Sequence, residues 1–341
     1  MMRSVGGVVF LWGLLLAAPC LAQVSGQQGI PQRQVIGASW MPTQQLVAEP
    51  TEPWVAANAP ALAPGQDEVK QALSPAAIAQ LMRPTVGFDL EWQQQTRGVE
   101  IVSYDARVSV PTYPIFGPPP PLIDASFSFT DVSSPVGADL PSELYDYALG
   151  FSWLRPVHER WTLRFTASAA LATDTKNNSS DAWQFRGGAF AMYRPNTRWT
   201  WLFGVLALGR NDIPVVPAVG AIYQPHPGMR FDLTFPRPRA AMLLVDRGPR
   251  QQWGYIGMGL GGGTWAYERT SGLDDQITLR DWRAVIGWES IPTPAPGMPF
   301  TRGHKLGFEV GYLFGREFEF ESDDTSISLG NTMMARLTAR W

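Results

Sequence analysis

The chain has 341 residues, of which 45% are hydrophobic, 12% aromatic and 17% charged, with 33 Gly, 30 Pro and 14 Trp. That is too apolar for a disordered chain and too poor in charge for an ordinary soluble enzyme. A formal net charge of −3 and a pI near 5.7 carry no basic excess, which argues against nucleic acid as a partner.

Arg3 precedes an apolar run over 8–18 that closes on Cys20-Leu21-Ala22, a small-x-small ending suited to signal peptidase. The run is shorter than the ~20 residues a membrane helix needs, so residues 1–22 read as a cleaved secretory signal. Pro19 immediately before Cys20 suits lipidation poorly. Cleavage after Ala22 removes the one cysteine, and with it disulfides, thiol catalysis and cysteine-ligated metals. Residues 23–83 are rich in Gln, Pro and Ala and read as a linker or plug segment, with a short helix over 75–81.

After Pro84 the texture becomes alternating. Val86, Phe88, Leu90 and Trp92 interleave with Gly87, Asp89, Glu91 and Gln93, the period-2 signature of a strand with two different faces. Similar apolar series include Tyr104 to Val108, Ala125 to Phe129, Tyr145 to Trp153, Trp161 to Phe165, Trp199 to Val205, Phe231 to Phe235, Trp282 to Trp288, Leu306 to Phe314 and Met333 to Trp341. Weaker candidates lie at 218–223, 239–245 and 253–267. The count is about fourteen strands, or twelve if the pair around 231–245 is an excursion and another weak strand fails.

The strand charges fall on the other face. Asp89, Glu91, Asp105, Arg107, Asp146, Arg164, Arg186, Arg230, Asp232, Asp281, Arg283, Glu289, Lys305, Glu309, Arg336 and Arg340 all have the parity opposite to the aromatic residues. In a soluble sandwich two greasy faces meet in a core, whereas in an outer-membrane barrel the greasy face meets lipid and the polar face lines the lumen. Aromatic residues at strand ends (Trp153, Trp161, Tyr193, Trp199, Trp253, Trp288) favour the barrel, because interfacial girdles sit there. So do the connections: those at 155–160, 194–198 and 224–228 are short and contain Pro, while those at 173–180, 268–275 and 321–326 are polar or acidic and lack it.

With these features the chain resembles bacterial outer-membrane β-barrel proteins. The resemblance is carried by the signal, the alternating strands and a final strand, Asn331 to Trp341, with an aromatic terminus. It implies an all-β, transmembrane antiparallel barrel over 84–341 in the outer membrane, contacts with outer-membrane lipid, and reading of Leu337, Ala339 and Trp341 by the barrel-assembly machinery. The usual terminal residue is Phe; here it is Trp. Phe231-Asp232-Leu233-Thr234-Phe235-Pro236 and the stretch from Tyr255 to Gly263 also look like those of an uncharacterised barrel family, which implies a fold and a location but no activity.

The remaining motifs read blandly. Gly257 to Gly263 is Gly-rich, but Trp265-Ala266-Tyr267 continues as strand, so a bend or room for lumen side chains is favoured over a dinucleotide site, and no cofactor is expected. His158, His226 and His304 fall in or beside periplasmic turns. Barrel lipases and deacylases, by resemblance, need a Ser or His site near the outer leaflet, so these histidines are at the wrong end, and converging all three on a metal would require distant turns to meet. The segment Asp174 to Asp181 lacks the Gly and distal Glu of an EF-hand and reads as a solvated loop.

The lumen charges either pair, Asp89 and Glu91 with Asp105 and Arg107, or line a wet channel. The leading expectation is a pore or transporter whose lumen residues Asp89, Glu91, Asp105, Arg107, Arg164, Arg186, Arg283, Glu309 and Arg336 set selectivity. A non-conducting structural or adhesion barrel is the alternative, and a barrel enzyme acting on lipid a third reading, disfavoured by the absence of a nucleophile motif.

Overall fold

The computed structural model describes residues 83–341 apart from 115–118, 136, 211, 294–302 and 324. The signal and the linker or plug segment therefore lie outside the described residues, except for Arg83. The alternating segments form β1 (Thr85–Thr96), β2 (Val99–Pro111), β3 (Leu122–Ser133), β4 (Glu143–His158), β5 (Trp161–Thr173), β6 (Trp183–Tyr193), β7 (Trp199–Ala207), β8 (Val215–His226), β9 (Met229–Thr234), β10 (Arg239–Asp246), β11 (Arg250–Glu268), β12 (Asp274–Pro292), β13 (Lys305–Phe320), β14 (Ser326–Ser328) and β15 (Thr332–Arg340).

From β1 to β13 each strand pairs antiparallel with the next in the chain, and β15 pairs with both β13 and β1, so the sheet closes on itself. The short β14 only extends the outer end of β13. The closed wall thus has fourteen staves. The three weak sequence segments are β8, β10 and β11, which settles the count against twelve. Across the seam, Val86 and Trp341 exchange backbone hydrogen bonds of 3.2 and 2.8 Å.

Strand pleating sends neighbouring side chains to opposite faces. Phe88, Phe127, Phe165, Phe185, Phe203, Ile286, Phe308 and Leu337 are exposed on the outside. Asp89, Glu91, Asp146, Arg164, Arg186, Arg283, Glu309 and Arg336 are buried on the inside. Among the described residues the greasy face has no second sheet to meet, and the molecule is a barrel of the membrane type. One rim carries ring contacts between Trp161 and Tyr193 (4.8 Å), Trp199 and Tyr223 (4.4 Å), and Tyr223 and Phe231 (6.2 Å). Nearer the other rim, Phe129 sits 6.1 Å from Tyr104 and 5.2 Å from Tyr145. Trp253 corrects the girdle expectation: it has the inward parity of β11 and is 0% exposed, packed with Ala241, Tyr255 and Ile291. An aromatic at a strand end can take either face, and the neighbouring Gln251 accepts its indole N–H at 3.3 Å inside the barrel.

One hairpin leaves the wall. β9 ends at Thr234 and β10 starts at Arg239, so β11 last meets that hairpin where Met258 N–H donates to Pro238 O at 3.0 Å. Beyond this point β11 continues, and both faces are buried from Gly259 to Tyr267. Ala266 lies beside Thr173 of β5, which is not its neighbour in the wall, and Asp174 N–H donates to Ala266 O at 3.0 Å. The outer half of the β11–β12 hairpin therefore folds into the lumen. Glycine permits this: Gly262 has φ +99°, and a Cβ there would fall on the Leu279 carbonyl, while one at Gly261 would fall on the Arg283 and Asp281 side chains. The Gly-rich run provides both the bend and the room for lumen side chains.

Candidate functional site: the barrel lumen

Parity and register bring Glu91 on β1 opposite Arg336 on β15, and Arg336 opposite Glu309 on β13. Arg336 forms ion pairs with both carboxylates, at 3.4 Å to Glu309. From β12, Arg283 reaches Glu91 at 3.2 Å and grips Asp281 with two bonds of 2.8 Å. Gln93 donates to Glu91 and accepts from Arg316, each at 2.8 Å. Tyr255 donates its hydroxyl to Glu309 at 2.8 Å, and the Arg239 guanidinium lies 3.2 Å over the Tyr255 ring while bonding Glu289 at 3.3 Å. An isolated buried charge costs several kcal/mol, so this mutual pairing is what allows the interior to be ionic.

The remaining candidates occupy the same inner face. Asp89 accepts from Arg340 (2.8 Å) and Thr338 (2.6 Å) across the seam. Its cross-strand partner on β2 is Asp105, and Arg107 stands opposite Gly87. Asp89 and Glu91 thus pair toward β15, not across the first hairpin, because opposite them β2 offers an acid and Ser103. Asp105 and Arg107 are half-buried, and Arg164 is buried on β5. Arg186 pairs with Asp146 and with Gln184. Sequence reasoning missed Tyr255, Arg239 and Arg316. Arg316 was hidden because Gly315, at φ +59°, shifts the inward parity of β13.

The lumen is not uniformly polar, which corrects the sequence reading. On β6–β8 the inner wall carries Phe190, Met192, Leu202 and Ala218, joined by Leu154 and Leu206. Leu206 also touches a second group, Leu208, Val216 and Leu260. At the outer end the infolded Trp265, Tyr267 and Ile277 pack against Ile101, Leu144 and Phe318 and seal the mouth with apolar side chains.

The Asp174 to Asp181 segment is a largely exposed loop, as expected, but two of its side chains, Asp174 and Asn177, turn inward and are buried. Asp174 accepts the Lys176 and Asn177 amides at 2.9 Å with one oxygen and Glu268 N–H at 3.0 Å with the other. Asn177, 1% exposed, donates to the Tyr267 and Asp275 carbonyls at 3.3 Å. These polar groups satisfy the β11 edge that β10 leaves unpaired, a requirement for any buried strand edge. Gln184 does the same for Thr264 O (2.8 Å) and Arg210 for Gly261 O (3.1 Å). Above the seal, Arg269 ties three outer connections together through Asp275 (2.6 Å), Asp323 (3.0 Å) and Asp139 (3.8 Å). The Thr325 hydroxyl and, after it, Arg269 hold the Asp323 carboxyl below its ordinary value. His158, His226 and His304 sit on separate turns of the opposite rim, and among the described residues no cluster of His, Cys, Asp and Glu is placed to hold a metal.

Residues 123–243 match the model of a family described as a domain of unknown function (DUF6268). No curated protein matches the chain. Among solved structures, the KdgM porin is 7% identical, with 75% of this chain and 98% of that chain covered at a TM-score of 0.34. An outer membrane channel from Pseudomonas putida F1 is 10% identical over 75% and 93%, with a TM-score of 0.36. A bacterial polysaccharide outer membrane secretin is 8% identical over 76% and 98%, with a TM-score of 0.38. By its closed wall, lipid-facing aromatics and inward charges, the chain is a fourteen-stranded β-barrel of the outer-membrane type, and its residues 123–243 resemble that domain of unknown function.

Proposed function

We propose that the protein is a small-solute pore or transporter of the outer membrane, held shut in this state by its own β11–β12 hairpin. The observation that carries this reading is the infolded hairpin inside a fourteen-stave wall. About eight staves enclose a space that side chains alone can fill, while ~16 leave an aqueous channel. A barrel between these sizes needs an extra element to close it, and that element can be withdrawn. Inside, Trp265 Nε1 and the Tyr267 hydroxyl are buried without a hydrogen-bond partner among the described residues. Each such group costs ~1–3 kcal/mol, so the plug is held less firmly than its apolar packing alone would imply. With the plug out, the ionic wall of Asp89, Glu91, Asp105, Arg107, Arg164, Arg186, Arg283, Glu309 and Arg336 would set selectivity. On this reading the chain is exported by its signal to the outer membrane, and the assembly machinery reads Leu337, Ala339 and Trp341 on the last strand.

The test removes the plug. Thr264 and Thr278 are cross-strand partners, so replacing residues 264–278 by an Asn-Gly turn keeps the register below. The trimmed barrel should give stable conductance steps in planar bilayers where the full chain is silent or flickers. A trimmed barrel that folds, as seen by its heat-shifted gel mobility, yet never conducts would leave a non-conducting structural barrel as the answer.

A further inference from the structure

We infer that the solute is a small apolar or amphiphilic molecule, and that it enters sideways from the outer leaflet through a notch in the wall between β8 and β11. The inference rests on the transport reading above and gives that site its solute class and route.

The notch follows from unequal strand lengths. The β9–β10 hairpin turns at 235–238, while β8 continues outward to Val215, paired there only with β7, and β11 continues to Glu268. Above the turn, β8 and β11 therefore have no strand between them among the described residues. The surface around this gap is apolar, with Val215, Val219, Phe235 and Met258 exposed. Leu260, just above Met258, pairs with Trp282, itself exposed on the outer surface. Trp282 lies six residues further outward along β12 than Trp288, the partner of Phe308. The gap therefore opens at the level of the outer leaflet.

Behind the gap lies a stretch of lumen wall suited to such a molecule. Leu260 closes the notch against Leu208 and Val216, and Leu206 links that group to Phe190 and Leu202 further down. An apolar track thus runs from the notch along the inner wall of β6–β8, bordered on β5 by the buried Arg164 opposite Leu154 and Phe190, and away from the ionic network on β1, β12, β13 and β15. A water-soluble solute gains nothing from that track. An apolar one cannot readily use the axial mouth, where Arg269 and its three carboxylates lie over the seal. The β11 edge facing the notch is also held by side chains: Arg237 reaches Leu260 O at 3.5 Å and Arg210 reaches Gly261 O at 3.1 Å. Side-chain donors can swing aside without breaking a strand ladder.

The experiment uses whole cells, because an intact outer membrane excludes the dye N-phenylnaphthylamine, which fluoresces once it reaches an apolar phase inside. Two variants are made on Cys20→Ser: Val216→Cys with Leu260→Cys, which staples the hairpin to β8 when oxidised, and Leu206→Asp, which puts a charge in the track. Cells carrying the wild-type barrel should take up the dye several-fold faster than cells lacking it. Oxidising the staple should abolish the gain and a reductant restore it, and Leu206→Asp should lose it under both conditions while keeping its heat-shifted gel mobility. Wild-type uptake no faster than without the barrel, or uptake indifferent to Leu206→Asp, would overturn the inference. Conductance of the trimmed barrel is read separately, so a lateral route can fail while the pore stands, or the pore fail on its own.

Discussion

Phe308 and Gly307 are adjacent on β13 at nearly the same depth, but they face different solvents. Phe308 is 43% exposed on the outer surface and pairs with Leu337, four positions before Trp341 at the rim. At ~3.3 Å per residue on a strand tilted by ~40°, that places it roughly 10 Å above the rim aromatic, close to the middle of an apolar band ~25 Å tall. Arg there should cost ~2–4 kcal/mol. Gly307 faces the lumen, and a Cβ on it would meet Thr338 at 3.5 Å and Glu289 at 3.7 Å, both ordinary contacts, with the Glu289 carboxylate nearby for a guanidinium. Gly307→Arg should therefore cost less than about 1 kcal/mol, the scale of an exposed ion pair and some lost rotamer freedom. Urea titration of both variants folded in phosphatidylcholine vesicles, followed by tryptophan emission and gel mobility, measures the difference. The contrast is cleaner here than at Phe203 and Gly204, because a Cβ on Gly204 would fall on the Ala189 carbonyl. If Gly307→Arg proves as damaging as Phe308→Arg, or if either protein is stable in water without detergent, the face assignment is wrong.

Two further outcomes follow from the lumen. Gly262→Ala should loosen the infolded hairpin and expose its tip to protease, because φ +99° and the Leu279 carbonyl leave no place for a methyl, whereas Gly257→Ala, whose Cβ would sit 3.4 Å from Pro238 O, should behave as wild type. Arg336→Met should destabilise the barrel by ~3–5 kcal/mol in the same urea titration, since Glu91 and Glu309 lose a shared cation in a buried site. Adding Glu91→Gln should recover part of that loss, and a double variant no better than the single would argue against the pairing.

How far the sequence carries depends on the period of the signal. The face of Phe88 against Asp89, or of Phe308 against Glu309, was legible because a strand has a side-chain period of two and lipid makes the difference large. The apolar lumen wall was not. Phe185 and Tyr193 set the phase of β6, and Phe190 and Met192 between them look like noise when an interior is expected to be polar. Trp253 misled in the opposite sense, as an aromatic at a strand end whose partner, Gln251, lies inside. Gly259 to Gly263 announces permission to bend but not a direction, and the infolding became visible only through Thr173 and Asp174 on a remote strand. Asp174 and Asn177 have the composition of a wet loop, and their burial is set by the Glu268 N–H and the Tyr267 carbonyl some 90 residues later in the chain. Ion pairs such as Arg336 with Glu91 could be anticipated as lumen charges but not as partners, because they are joined only by ring closure.

The seam between β1 and β15 carries a further meaning. Every other stave is aligned by a connection to its chain neighbour, but these two meet from opposite ends of the wall, with no turn to set their stagger. A slide of two residues would preserve both faces and every class of backbone bond, so hydrophobicity cannot forbid it. Side-chain chemistry can: sliding moves Arg336 away from Glu91 and Thr338 away from Asp89 together. In a cylinder the stagger on closure is the shear, and shear with strand number sets the tilt and the bore. The acids near the start of the wall and the bases near its end thus work as a gauge, selecting one diameter for the finished tube.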